Sequence, residues 1–185
     1  ASMRDILGGK GANLAEMNKL GISVPPGFTI STKVCDYYYA HKKTFPNELK
    51  DQVDNSIKYI EEKLEFNFGG GKHPLLVSVR SGSRASMPGM MDTVLNLGLN
   101  DKTVIDLSIA SNDKRFALDS YRRFIQMYSD IVLGVPHSDF EEILEEEKIS
   151  NNVMLDTELS EESLEQLVKK YKEYVKETTK KDFPQ

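Results

Sequence analysis

Leu75-Leu76-Val77-Ser78-Val79, then Arg80-Ser81-Gly82-Ser83-Arg84-Ala85-Ser86-Met87-Pro88-Gly89-Met90-Met91-Asp92, then Thr93-Val94-Leu95-Asn96-Leu97, is the stretch that decides the fold. Its two ends are short apolar and β-branched runs, and each reads as a compact strand. Between them lies a run with two arginines, several hydroxyls and no acid before Asp92, so its local field is positive. Arg80 falls at the end of the first strand, where the base of a long side chain is held and its fork can be aimed. Arginine presents a planar set of donors that matches phosphate oxygens two at a time. The alternative reading of Arg80 and Arg84 is a surface loop with structural arginines.

Outward from these strands the pattern is helical. Toward the N-terminus, Gly11–Leu20 reads as a short helix with Leu14, Met17 and Leu20 three apart, ended by Gly21. Pro25-Pro26-Gly27 is a turn, and Phe28-Thr29-Ile30 reads as a short strand. Thr32 is expected to cap a helix through Tyr39. Pro46 opens a longer one with Leu49, Val53, Ile57, Ile60 and Leu64 on one face. Toward the C-terminus, Phe116, Tyr121, Phe124, Ile125, Tyr128, Ile131 and Val132 keep a helical period up to Val135-Pro136. A short acidic helix is expected over 139–147. Ser160 caps a last helix whose buried face is Leu164, Leu167, Val168, Tyr171, Tyr174 and Val175. Few strands among many helices make the fold α+β and helix-rich.

The 185 residues carry a net charge of −5 and split unevenly near Asn100. Residues 1–99 hold 11 of the 12 glycines and a net charge of +2, whereas 100–185 carry −7. The expected organisation is a glycine-rich lobe at 1–99 suited to anionic ligands, followed by a helical subdomain at 100–185. An acidic chain is a poor general nucleic-acid binder. The single cysteine, Cys35, excludes an internal disulfide and fits a reducing cytoplasm. No apolar stretch reaches the ~18 residues of a membrane span, so no membrane partner is expected.

A second candidate is Gly8-Gly9-Lys10-Gly11-Ala12-Asn13, glycines around one lysine before a helix. Backbone N–H groups at a helix start favour anions, and Lys10 adds a mobile charge. The spacing is not that of a Walker A loop, and a plain glycine turn with an exposed lysine is equally compatible with it. Four other groups read as structural. His41, His73 and His137 lack ligand spacing and read as surface histidines. Cys35 reads as a buried thiol. Arg122 and Arg123 read as ion-pair partners of acids such as Asp119, and Glu141-Glu142 and Glu145–Glu147 as a solvated face.

Taken together, Gly8–Met17, Val24–Thr29, Ser78–Asn100, Tyr121–Asp130 and Phe183-Pro184-Gln185 resemble, in order, the N-terminal part of the pyruvate, phosphate dikinases. The run Met87–Leu99 is the most specific to them; the shorter Gly-Gly-Lys-Gly and Val-Arg-Ser motifs are shared with phosphoenolpyruvate synthase. The resemblance implies the first lobe of an ATP-grasp domain. It implies an activity that converts ATP, phosphate and pyruvate to AMP, pyrophosphate and phosphoenolpyruvate, with magnesium carried by ATP and a monovalent cation. It places Lys10, Arg80, Ser81, Gly82, Met91, Asp92 and Thr93 at ATP, and implies a homodimer for the whole enzyme. The phosphohistidine motif, the pyruvate barrel and the second ATP-grasp lobe are not in these residues. The chain is therefore expected to be a fragment with no catalytic residue of its own and no activity alone. A non-catalytic interaction module, built on the amphipathic helix over 160–178, is the reading from a different class.

Overall fold

The computed structural model describes residues 3–82 and 92–185. It contains seven α-helices and four short strands among those residues, so the helix-rich α+β class holds. The chain forms two compact units, one of residues 1–65 with 80–92, the other of 66–79 with 93–185.

The first unit is built on α1 (Arg4–Lys19), α2 (Thr32–Ala40) and α3 (Leu49–Leu64). Helix α1 begins a full turn and more before the expected Gly11. It is broken internally at Gly8, whose φ of 70° and ψ of 170° are not helical. A positive φ of this kind is accessible to glycine at no steric cost. The helix therefore restarts after Gly8, and the N–H groups of the following turn lie at a helix start. At the other end Gly21, φ +74°, sits just past the last turn; its N–H donates to Asn18 O, and that of Ile22 donates to Met17 O. This is the glycine-centred C-terminal motif expected from the sequence. Leu14, Met17 and Leu20 are exposed, and in α3 Ile60 alone is fully buried. Phe28-Thr29-Ile30 forms no strand. A lone three-residue run needs a neighbouring strand to satisfy its backbone, and here Thr29 packs by its side chain on Gly11 instead.

The second unit holds the large core. Strands β1 (Asn67–Phe68) and β2 (Pro74–Leu75) pair in parallel, Asn67 opposite Pro74 and Phe68 opposite Leu75. Strands β3 (Val77–Arg80) and β4 (Thr93–Leu97) form a second two-stranded sheet. The single strand expected over 75–79 is thus split at Leu76 between two sheets. Four helices follow: α4 (Thr103–Ser111), α5 (Lys114–Tyr128), α6 (His137–Ser150) and α7 (Glu161–Thr179). A π-helical turn (Ser129–Leu133) extends α5, and Gly134 at φ +71° ends it.

The core joins Val94 and Leu99 to the inner faces of α5, α6 and α7: Ala117, Tyr121, Phe124 and Ile125; Phe140 and Leu144; Leu164, Leu167, Tyr171 and Val175. Phe183 closes it from the C-terminal end, edge-on to Phe124 and Tyr128. The expected α7 face is the observed one. In the long helix Phe116 and Val132 prove exposed, because Ala117 and Leu118 take the inner positions and the π-helical turn changes the phase. The polar ends are tied as well. Asp113 Oδ1 accepts from Phe116 N at 2.8 Å and Ser160 Oγ from Ser163 N at 3.2 Å. Asn100 Oδ1 accepts from the N–H groups of Lys102 and Thr103 at the start of α4.

Candidate functional site

Five of the sequence-predicted residues, Lys10, Arg80, Ser81, Gly82 and Asp92, belong to the first unit. Lys10 stands in the turn after the Gly8 kink and is half-buried. Its Nζ donates to Ser81 O at 3.1 Å, across 71 residues of sequence. Ser81 in turn is bound to Asp92 twice: its N–H and its Oγ both donate to Asp92 O, each at 3.0 Å. Arg80 is the last residue of β3 and is exposed, the strand-end position expected of it. Asp92 is exposed, and Thr93 opens β4. Met91 and Arg84 lie outside the described residues.

The arrangement brings one ammonium, one guanidinium at a strand end and the backbone of a restarted helix into the same unit. Chemically this is a set of donors for an oxyanion. An ammonium offers three protons and a guanidinium five. Ser81 O takes one from Lys10, which leaves two for a ligand.

Two further features correct the sequence reading. Gly11 belongs to the glycine run around Lys10. A Cβ there would lie 3.0 Å from both Oγ1 and Cγ2 of Thr29, so the space is filled by Thr29. Thr32 Oγ1 donates to Asp5 O at 2.7 Å and ties α2 to the first turn of α1. The cap expected of Thr32 is not made, because Ser31 holds the N-cap position and the Thr32 hydroxyl is spent on Asp5, a contact between distant segments that leaves no local pattern. Cys35 is exposed, not buried, because α2 carries no fully buried residue.

In the second unit Arg122 is 4% exposed and pairs with Asp119 at 2.7 Å and Asp156 at 3.1 Å, the structural role expected of it. Burial opposes its charge, and the Asp119 carboxylate more than compensates, so its pKa is raised. The solvated acidic face fails at Glu147. That carboxylate is 2% exposed, accepts from Lys170 at 2.7 Å and from Asn151 at 2.9 Å, and so is buried as a paired group. His137 is half-exposed beside Glu141 (3.3 Å) and Asp130 (3.8 Å). A cavity of about 460 Å³ opens beside Asp101, Tyr121 and Lys172, and no predicted site residue lines it. Among the described residues no group of three or more His, Cys, Asp or Glu side chains could hold a metal ion. No helix among them is long and apolar enough to cross a membrane.

The family described as pyruvate phosphate dikinase, AMP/ATP-binding domain, matches residues 4–44 and 41–123. The chain is 52% identical over 186 residues to the pyruvate, phosphate dikinase of Clostridium symbiosum, covering all of this chain and 21% of that protein. It is 54% identical over 185 residues to that of Rhizobium meliloti (strain 1021), with the same coverage. It is 49% identical over 182 residues to the chloroplastic pyruvate, phosphate dikinase of Flaveria trinervia, covering 98% of this chain and 19% of that protein. The chain thus spans about a fifth of the length of these relatives. The phosphoenolpyruvate synthase and interaction-module readings are not favoured. With the family matched over the Lys10 turn, all four strands and the chain as far as residue 123, the chain belongs to the pyruvate phosphate dikinase AMP/ATP-binding domain family.

Proposed function

We propose that the chain supplies a phosphate-holding wall of a nucleotide site, in a protein that converts ATP, phosphate and pyruvate to AMP, pyrophosphate and phosphoenolpyruvate. The observation that carries this is the bond from Lys10 Nζ to Ser81 O, which holds a cation next to the strand-end Arg80. In phosphoryl transfer most of the work is positioning and neutralising charge. Lys10 and Arg80 would take non-bridging phosphate oxygens. Gly82, Met91, Asp92 and Thr93 complete the proposed set, and the chain contributes no group that reacts covalently.

Magnesium is proposed to enter as part of Mg-ATP, and no step is routed through it. An ATP-grasp arrangement, a monovalent-cation requirement, a homodimeric whole enzyme and a cytoplasmic location belong to the same proposal. So does the functional division into a phosphate-binding lobe at 1–99 and a helical subdomain at 100–185.

Competition binding tests the reading. Tripolyphosphate should bind this chain and displace Mg-ATP, while adenosine should do neither, since the described donors are all phosphate donors. Binding of adenosine with no effect of tripolyphosphate would overturn it.

A further inference from the structure

We propose that Ser81 is a positioning residue that aims the ammonium of Lys10, and not itself a donor to phosphate. The proposal rests on the nucleotide-site reading. Every polar group of Ser81 is already engaged within the protein. Its N–H and its hydroxyl both donate to the Asp92 carbonyl at 3.0 Å. A serine hydroxyl has one proton, and once it is given to that carbonyl it is not offered to a phosphate oxygen.

The double bond to a single acceptor fixes Ser81 in two ways. The N–H sets the backbone of residue 81 against residue 92, and the Oγ holds the side-chain torsion that keeps it there. The carbonyl of the residue so fixed is the acceptor for Lys10 Nζ at 3.1 Å. A lysine amine on its four-carbon stem has wide conformational freedom. Tethering one of its three protons to a rigid carbonyl narrows that freedom before a ligand arrives. Pre-organisation of this kind strengthens binding without a new contact to the ligand. Residues 10, 81 and 92 lie in one compact unit, so the whole relay belongs to a single body.

Two measurements on the 185-residue chain test this, with Ser81→Ala, Ser81→Thr, Ser81→Cys and Lys10→Ala. The first needs no nucleotide: the rate of acetylation of each lysine amine by an N-hydroxysuccinimide ester, read by peptide mass spectrometry. Loss of the Ser81 hydroxyl should raise the rate at Lys10 by about threefold to tenfold, the effect of one released hydrogen bond. Ser81→Thr, which keeps the hydroxyl, should restore it. Ser81→Cys fills the same space with a weak donor and should behave like Ser81→Ala, with Lys176 unchanged in every variant. An unchanged Lys10 rate in both Ser81→Ala and Ser81→Cys overturns the proposal. So does equal acceleration at Lys10 and Lys176.

The second measurement is Mg-ATP affinity in a double-mutant cycle. Ser81→Ala should weaken binding about fivefold in the parent chain and not at all in Lys10→Ala, because it acts only through Lys10. Equal, additive losses in both backgrounds would show that Ser81 touches the phosphate itself and would overturn the proposal. Failure of the two ideas is separable. Altered labelling without Mg-ATP binding supports the Ser81–Lys10 coupling and overturns the nucleotide reading. Unaltered labelling with normal Mg-ATP binding overturns the coupling alone.

Discussion

Gly98 is held in a conformation that only glycine adopts without strain. Its φ is +117°, and a Cβ there would come within 2.6 Å of Leu75 O and 3.2 Å of the Phe68 ring. Gly98→Ala should therefore destabilise the chain by about 2–3 kcal/mol, from the backbone conformation and the clash together. A chemical-denaturation midpoint that does not move would refute this. Tyr171 makes a second residue-scale claim. It is buried, with its hydroxyl donating to Phe140 O at 3.0 Å. Burial pushes its pKa up to about 12 from an ordinary value of 10. A raised native pKa means that the native state keeps a proton the unfolded state gives up. The stability this confers is complete below pH 10 and is lost as pH rises from 10 to about 12, on the order of 2 kcal/mol. Tyr171→Phe should flatten that alkaline decline, measured by urea unfolding at pH 9, 10 and 11. An equal decline in both proteins would count against it. At this scale Arg80, Tyr171 and the Arg122–Asp119 pair are legible from the sequence. Thr29 on Gly11 and the burial of Glu147 are not, because each depends on a partner brought from elsewhere in the chain.

At the scale of elements, helix ends carry the most local information, and the sequence reads them well where a side chain does the capping. Ser160 caps α7 as its position before Glu161 and Glu162 suggests. Asp113 caps α5 by the same chemistry, and its Oδ1 meets Phe116 N at 2.8 Å. Removing either cap with alanine should cost about 1 kcal/mol, seen as a lower melting temperature, with Asp113→Asn retaining most of it. No change in melting for Asp113→Ala would contradict the capping role. The elements that the sequence misplaces lack such a signal. The early start of α1 is hidden by Gly8-Gly9, which read as helix breakers although only Gly8 departs from helical geometry. The split between β2 and β3 at Leu76 follows from pairing with two different strands. An unbroken apolar run cannot disclose that.

For the whole molecule, burial is concentrated in one of the two compact units. The second unit holds the entire core cluster, while Ile60 is the one buried large apolar side chain described in the first. Amide exchange should follow this: protection in α5 and α7 should approach the global unfolding free energy, and α2 should exchange far faster. Equal protection in α2 and α7 would contradict the uneven burial. The class of fold was legible because it resides in local pattern. How the chain divides into compact units was not, since Arg80, Ser81 and Asp92 join the unit of the N-terminal helices through contacts such as Lys10 to Ser81. The central claim is that this chain carries a preformed phosphate wall built on Lys10 and Arg80. Calorimetric titration of Mg-ATP into the chain and its Arg80→Ala variant tests it most directly. The account predicts saturable binding that the variant weakens by about tenfold or more, the loss of a charge-assisted contact, with its melting temperature unchanged. Equal affinity in the two proteins, or no binding by the parent chain, would contradict it.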